Sequence, residues 1–350
     1  MTPNPTVPGY EDIRKYQKEL FDLRLEACKS VSQSDWNMED LEKVLKSLTN
    51  NKARDSHGHC YELFKYGGTS VKKSILRLFN EIKKEGIYPS IMQPSNITSL
   101  WKHKGEKADF ENQRGIFNVV KLRSIMDKMI MNDIYETVDG FMGPSNIGAR
   151  KKRSCRDHVL VVNSIINEAV NNKTIELDIN VYDVSKCFDK MDYKATAVDM
   201  YDAGVRDSNF VVMAIANESA DVAVKTPWGS LTERKRINDL EMQGTVCAPL
   251  KCSVQTGAVG ETALMSELGY KYRGCVSIPP LSFIDDILTV TNCTIKSTKM
   301  NAIVQAHINS RHLKFGITKC FRMHVGAHRM GCSINKVQSG KILEKEKVKY

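Results

Sequence analysis

Two adjacent aspartates, Asp285 and Asp286, stand at the centre of the mostly apolar stretch PPLSFIDDILTV. Carboxylates held this close favour either a raised pKa or a bound cation. A divalent ion removes their repulsion, and Mg²⁺ prefers a few carboxylates together with water and phosphate oxygens. An ordinary acidic turn is the alternative, since Asp is common in turns. The flanking β-type runs predict a hairpin with both aspartates at its tip.

A third carboxylate, Asp183, ends the run INVYD, and Asp189 follows six residues later. If Asp183 meets the hairpin pair, the carboxylates supply ligands for two metal ions about 4 Å apart. Such a pair of ions activates a hydroxyl, holds a triphosphate and stabilises a leaving pyrophosphate. A long stretch of chain separates Asp183 from Asp285, so spacing alone leaves their meeting open.

A strand is predicted immediately before Asp183. In the stretch TIELDINVYD, apolar residues alternate with polar ones, which is typical of a strand. The apolar positions are Ile175, Leu177, Ile179 and Val181. The alternation ends at Asp183, so it assigns that side chain to neither face.

Helical spacing predicts helices over 10–29, 119–140 and 157–170, and two more within NMEDLEKVLKSL and VKKSILRLFNEIKKEG. Asn37 is a plausible N-cap, and Gly86 is a natural helix stop. The segment NITSLWKHKGEK predicts a hairpin with a basic turn. Because strands and helices mix without a regular βαβα order, the sequence favours an α+β fold.

The 350 residues are enough for two or three subdomains in one body. A net charge of +10 makes a polyanionic partner worth considering, although a merely basic soluble protein is the alternative. No apolar run approaches the roughly 20 residues of a membrane helix, so we expect no membrane partner. The N-terminus shows no secretion signal, so we expect an intracellular protein.

Cysteines are scattered without a C-x-x-C pair, which predicts free thiols in a reducing compartment. His57, His59 and Cys60 cluster in DSHGHC. A fourth ligand at zinc-site spacing is missing there, so a zinc site is not favoured.

Seven blocks of sequence together resemble the reverse transcriptases of non-LTR retrotransposons, the LINE-like family. Three of them, VYDVSKCFD, MQGTVCAPL and LSFIDDILTV, resemble the central polymerase motifs, in this order. The other four are NNKARDSHGHCYELFK, ITSLWKHKGEKADFENQRGIFNVVKLRSIMDKMI, SNIGARKKRSCRDHV and FGITKCFRMHVG. The resemblance implies a right-hand polymerase fold, with an antiparallel palm sheet that carries the aspartate hairpin and with helical and hairpin fingers.

The same resemblance implies a catalytic metal site. Asp183 and Asp285 would ligate two Mg²⁺ or Mn²⁺ ions, and Asp286 would assist with less direct coordination. The Val184 carbonyl would complete a site, since backbone carbonyls suit hard cations.

Further positions are implied for the nucleotide. Phe188 occupies the steric-gate position, where an aromatic ring crowds a ribose 2′-OH and favours dNTP over rNTP; a core aromatic is the alternative. Gln243 and Gly244 resemble the pair that lines the nucleotide and template pocket, although a plain turn has the same sequence. Lys319 matches a lysine near the leaving pyrophosphate.

Basic residues are implied to bind phosphates. Lys102, Lys104 and Arg114 match positions in the fingers that hold the triphosphate, Arg as a bidentate clamp. A basic run suits the backbone of the template and primer, and a solvated charged surface is the alternative for each member. The run is Arg150, Lys151, Lys152 and Arg153.

The predicted domains are a helical N-terminal extension (1–50), fingers (51–174 with part of 205–240), a palm (175–335) and an incomplete connection to a thumb (336–350). Expected partners are an RNA template, a DNA primer and dNTP, with the protein in the nucleus or cytoplasm beside the element RNA. The stretch after Asp286 is short for a full thumb, so a fragment or a truncated element copy is expected. An inactive remnant that only binds nucleic acid and an RNA-dependent RNA polymerase are the rival interpretations.

Overall fold

The computed structural model describes residues 9–29, 31, 35–172, 174–226, 229, 231–238, 241–260, 266–326, 329–338 and 341–348. The helices are α1 (Tyr10–Lys29), α2 (Met38–Ser47), α3 (Tyr61–Tyr66), α4 (Gly68–Glu85), α5 (Lys121–Phe141), α6 (Cys155–Asn171), α7 (Cys187–Lys190), α8 (Tyr193–Asp202), α9 (Asp207–Glu218), α10 (Ala248–Gly257) and α11 (Thr294–Ser310). The strands are β1 (Pro94–Trp101), β2 (Gln113–Val119), β3 (Leu177–Asp183), β4 (Ser219–Lys225), β5 (Lys235–Asn238), β6 (Lys271–Tyr272), β7 (Val276–Ser277), β8 (Leu281–Phe283), β9 (Asp286–Thr291), β10 (Phe321–Gly326), β11 (Arg329–Gln338) and β12 (Lys341–Val348).

Local sequence signals set the helix ends as predicted. The side chain of Asn37 accepts hydrogen bonds from the backbone of Glu39 and Asp40 and so caps α2. Gly86 ends α4 in the left-handed region, with φ of 61°. The predicted helices over 10–29, 119–140 and 157–170 are confirmed as α1, α5 and α6.

The chain divides into two compact units. The aspartate unit, named after Asp183, Asp285 and Asp286, comprises 1–13, 139–190 and 249–350. The basic-hairpin unit, named after the β1–β2 hairpin, comprises 14–138 and 191–248.

The predicted domain boundaries differ from the limits of these units. Residue 174 lies inside the aspartate unit, and the expected connection over 336–350 contributes β12 to that unit's sheet. The assignment of fingers and palm to the two units stays a prediction.

The basic-hairpin unit is built on a four-stranded sheet with the order β2-β1-β4-β5. Strands β1 and β2 are antiparallel, which confirms the hairpin predicted from NITSLWKHKGEK, and β1 runs parallel to β4. Phe117 and Val119 of β2 and Ala220 and Val222 of β4 form an apolar cluster with Met242 of the loop before α10.

The aspartate unit is built on a six-stranded sheet with the order β12-β11-β10-β3-β9-β8, and its strand pairs are antiparallel. Helix α6 packs Ile165 and Ala169 against Leu177 and Ile179 on one face of β3. The sheet therefore holds β3 in its interior, between β10 and β9, and Asp183 is the last residue of this strand.

The polar residues of β3 are buried rather than solvated. Asp178 forms an ion pair with Arg322 at 2.8 Å, and Asn180 donates a hydrogen bond to Ser297 of α11 at 2.9 Å. Because α11 covers this face, polar partners replace water there. The predicted strand is confirmed, and its polar face is part of the core.

Mixed helices and largely antiparallel sheets make this an α+β protein, as predicted. In the part of the chain that the structure describes, no helix combines the length and apolar character needed to cross a membrane.

Candidate active site

The sheet register places Asp183 and Asp286 opposite each other. Asp183 is the last residue of β3, Asp286 is the first of β9, and the two are cross-strand partners. Directly opposed residues of an antiparallel pair have Cβ atoms about 5 Å apart on the same face. The meeting of the third carboxylate with the hairpin, which spacing alone had left open, is therefore present in the fold.

The aspartate hairpin is formed by β8 and β9, with Phe283 paired to Asp286. The connecting turn consists of Ile284 and Asp285. Asp285 therefore lies at the tip as predicted, whereas Asp286 already opens the second strand. Ile284 has φ of 57°, which is rare for a β-branched residue and marks a backbone held by its surroundings.

Lys319 joins the carboxylates from the segment before β10. Its ammonium donates to both oxygens of Asp183, at 2.5 and 2.7 Å. The next residue, Cys320, is buried, and its thiol lies 3.5 Å from the Asp183 backbone nitrogen. Lys319 therefore lies beside the aspartates, and its charge offsets part of their repulsion. Its expected place near a leaving pyrophosphate stays a prediction.

The site perturbs the acidity of the hairpin carboxylates. Burial, followed by the charges of Asp286 and Asp183, raises the pKa of Asp285 to about 6. Desolvation and the Asp183 charge also raise the pKa of Asp286. Such shifts are frequent at functional sites, although structural ion pairs produce them too.

The donors near Asp183 are oxygens, the atom type that a hard divalent cation prefers. No group of three or more His, Cys, Asp or Glu side chains within the described ranges is arranged to hold a metal on side chains alone. A metal ion near these carboxylates would therefore also need backbone oxygens as ligands. An isolated bridge between Val184 and Phe315 uses the carbonyls of Asp183 and Lys314 and leaves the Val184 carbonyl outside it. Carboxylates, a carbonyl, water and substrate oxygens are the ligands that Mg²⁺ accepts.

Phe188 belongs to the same unit as the carboxylates. It lies on the one-turn helix α7 that follows β3, and its side chain is half-buried. Its role as a steric gate stays a prediction.

Gln243 and Gly244 lie in the basic-hairpin unit, on the loop before α10. The Gln243 carbonyl accepts a hydrogen bond from the Phe117 nitrogen at 2.8 Å, which ties this loop to β2. Gly244 has φ of 110°, and a Cβ there would lie 2.8 Å from the Phe117 carbonyl oxygen. Only glycine suits this position, so the turn interpretation explains Gly244 without a ligand.

The predicted triphosphate-binding residues surround the β1–β2 connection of the basic-hairpin unit. Lys104 is exposed in this connection, and Arg114 is exposed on β2, paired with Leu100. Lys102 donates to the Glu111 carbonyl at 2.9 Å. The three residues are therefore near one another in the chain's fold, and Lys102 also has a structural contact.

Arg150 differs from the rest of the basic run. Its guanidinium pairs with Asp139 at 2.7 Å and donates to the carbonyls of Met142, Gly143 and Asn146 at 2.7 to 2.9 Å. This buried side chain serves the fold, which speaks against its predicted contact with nucleic acid. The neighbouring residues Lys151, Lys152 and Arg153 are exposed, as a nucleic-acid surface requires.

The DSHGHC loop has a structural explanation. The Asp55 carboxylate accepts from the backbone of His57 and His59 at 2.9 Å and from the Lys121 nitrogen at 2.8 Å. It therefore caps the start of α5 from a distant loop. His57 contacts the Ile91 carbonyl at 2.9 Å.

Sequence reasoning missed the residues that touch the hairpin turn. The hydroxyl of Thr256, on α10, donates to the Ile284 carbonyl, and Gly148 packs against the Ile284 nitrogen. Gly148 lies within one of the quoted blocks, but nothing in that block indicates its neighbour in space. Thr256 lies outside all of the blocks.

No protein-family model and no curated protein matches this chain.

Proposed function

We propose that this chain is the RNA-directed DNA polymerase core of a non-LTR retrotransposon, joining dNTP to a primer 3′-OH. The observation that carries the proposal is the register of Asp183 with Asp286, together with Asp285 in the connecting turn. Three carboxylates at one sheet edge are the donor set of two-metal nucleotidyl transfer. In this proposal the aspartate unit is the palm of a right-hand polymerase, and the basic-hairpin unit supplies fingers.

The carboxylates and the Val184 carbonyl would hold two Mg²⁺ or Mn²⁺ ions. When bound, such ions lower the pKa of the primer hydroxyl and neutralise the triphosphate. Asp183 and Asp285 act as the principal ligands, and Asp286 supports them from the facing strand. Lys319 places a positive charge beside the carboxylates, at 2.5 Å from Asp183, where a proton donor or a phosphate partner is useful.

Nucleotide choice would depend on Phe188. Its ring follows Asp183 by five residues in the same unit and would crowd a ribose 2′-OH. This favours reverse transcription over RNA-dependent RNA synthesis. Phe188→Ala should let rNTP compete with dNTP, and an unchanged preference would remove the gate from the proposal.

Primer extension on an RNA template with Mg²⁺ or Mn²⁺ tests the activity. The wild-type chain should extend the primer with dNTP, and Asp285→Ala should not. Glu19→Ala, an exposed acid of α1, is the matched control and should extend like the wild type. Equal extension by wild type and Asp285→Ala would contradict the metal assignment.

A second function is favoured by the exposed basic residues Lys151, Lys152 and Arg153. A chain that only binds nucleic acid needs these charges and no ordered carboxylates. Salt-sensitive binding of template and primer without incorporation, even in Mn²⁺, would support this alternative.

A further inference from the structure

We propose that the segment Ser145–Arg150 and Thr256 form a clamp that fixes the turn of the aspartate hairpin. The clamp makes Asn146, Arg150 and Thr256 positioning residues for the carboxylates. This inference rests on the proposed function and adds residues to it that bind neither nucleotide nor nucleic acid.

The first part of the clamp extends the edge of the sheet. The Ser282 nitrogen donates to the Ser145 carbonyl at 2.9 Å, and the Ile147 nitrogen donates to the Ser282 carbonyl at 3.0 Å. Asn146 and Ser282 thereby form a parallel bridge beside β8. The strand that leads into the aspartate turn is held on its outer side as well as by β9.

The second part of the clamp acts on the turn residue itself. Ile284 has the unusual φ of 57°. Thr256 has a single hydroxyl proton, shared between the carbonyls of Ile284 and Cys252. On the opposite side Gly148 packs so closely that a Cβ would overlap the Ile284 nitrogen. Such contacts from both sides hold a strained backbone conformation in place.

The third part of the clamp anchors the segment. The Asn146 amide donates to the Ser253 carbonyl of α10 at 2.6 Å, and its oxygen accepts from the Gly148 nitrogen at 3.2 Å. Gly257 leaves room for that amide, since a Cβ there would overlap it. Arg150 donates to the carbonyls of Met142, Gly143 and Asn146 and forms an ion pair with Asp139.

These contacts form a continuous path from Arg150 through Asn146 and Gly148 to Ile284, the residue directly before Asp285. The position of a carboxylate on a turn depends on how firmly the backbone of that turn is held. Partners that orient metal ligands without touching the metal typically change metal affinity by about 10- to 100-fold when removed. The clamp therefore predicts an effect on metal binding from residues that supply no ligand.

The test compares Thr256→Val, which keeps the side-chain shape and loses the hydroxyl, with Thr256→Ser, which keeps the hydroxyl. Thr298→Val is the matched control, because the exposed Thr298 also bonds the carbonyl four residues earlier on its helix. Mn²⁺ affinity of the full chain is measured by electron paramagnetic resonance of the free ion. Hydrogen exchange of peptides covering 282–288 is measured without metal.

Thr256→Val should bind Mn²⁺ about tenfold more weakly than wild type, because a partner that orients a ligand is lost. Its hairpin amides should exchange about fivefold faster, as expected for one lost hydrogen bond. Thr256→Ser and Thr298→Val should stay within about twofold of wild type in both measurements, since each keeps the clamp hydroxyl.

Two results would overturn the clamp. One is wild-type Mn²⁺ affinity and wild-type exchange in Thr256→Val. The other is an equal loss in Thr298→Val, which would mean general destabilisation. If the wild type binds no Mn²⁺ while Thr256→Val alone accelerates hairpin exchange, the clamp stands and the proposed polymerase function fails.

Arg150→Lys separates positioning from nucleic-acid contact. Lysine keeps the charge but cannot serve three carbonyls and Asp139 at once. We expect weaker Mn²⁺ binding, because the carbonyls that Arg150 joins to Asp139 are no longer held together. Lysine also neutralises a phosphate, so an arginine that only contacts phosphate would be replaced with little loss of either Mn²⁺ or template–primer binding. Wild-type Mn²⁺ affinity in Arg150→Lys would therefore overturn the place of Arg150 in the clamp.

Discussion

The carboxylates of the aspartate unit and the basic residues of the basic-hairpin unit are positioned in different ways. Asp183 and Asp286 are fixed by strand register, and Asp285 lies in a two-residue turn between paired strands. Lys104, by contrast, is exposed in the long connection between β1 and β2. The aspartates lie on paired strands and their tight turn, whereas Lys104 lies in a loop and Arg114 is an exposed side chain of β2. Function should therefore be far more sensitive to changes in the first set.

The largest effect is expected for Asp183→Asn. It removes a charge from the paired strand ends and leaves the Lys319 ammonium without its carboxylate. Steady-state primer extension should show kcat reduced by about a thousandfold with little change in the KM for dNTP. A loss of less than about tenfold would mean that strand register does not position the chemistry.

A glycine in each unit tests where backbone geometry matters. Gly244→Ala forces a Cβ to within 2.8 Å of the Phe117 carbonyl at φ of 110°, and should destabilise the protein by about 2 kcal/mol. Gly140→Ala, on α5 with nothing within 4 Å, should stabilise by about 0.5–1 kcal/mol. Urea unfolding measures both, and equal effects would contradict the Gly244 geometry.

The burial of Asp285, together with the charges of Asp286 and Asp183, predicts a pH-dependent stability. The pKa of Asp285 is about 6 in the folded chain and near 3.9 when unfolded, so the folded state binds more protons between these values. Stability therefore falls as pH rises through this window, by about 1–3 kcal/mol from this group.

Asp285→Asn removes that charge. In chelator, urea unfolding should show the variant more stable than wild type by about 1–2 kcal/mol at pH 8 and nearly equal at pH 4. Glu19→Gln, which changes an exposed acid of α1, should show no such pH difference. A variant less stable than wild type at pH 8 would contradict the expected cost of burying this carboxylate beside Asp286 and Asp183.

The smallest effect is expected in the loop. Lys104→Ala should raise the KM for dNTP by about threefold at low salt and less at high salt, because exposed charges are screened. Lys102→Ala should have the smaller effect on KM, since its ammonium already binds the Glu111 carbonyl. A larger increase in KM for Lys102→Ala than for Lys104→Ala, under the same conditions, would make Lys102 the main phosphate contact.

The sequence predicted helices and strands better than it predicted what surrounds individual side chains. Strand alternation before Asp183, the Asn37 cap and the Gly86 stop are local signals, and each is confirmed. The burial of Asp178 and Asn180 was not predictable, because the polar face of a strand has the same sequence pattern whether water or α11 covers it.

For the site, the hairpin and its turn followed from the apolar runs around Asp285. The partner of Asp286 did not, because register between distant strands is decided in three dimensions. Arg150 resembled Lys151 in the sequence, yet the fold buries it against Asp139. Thr256 carried no signal, since its contact with Ile284 joins distant parts of the chain.

Anomalous diffraction from crystals grown with Mn²⁺, template–primer and dNTP tests the central claim most directly. We expect two anomalous peaks at the sheet edge, about 2.1 Å from carboxylate oxygens of Asp183 and Asp285, with the Lys319 ammonium displaced from Asp183. Absence of peaks at this edge, with Lys319 still paired to Asp183, would contradict it.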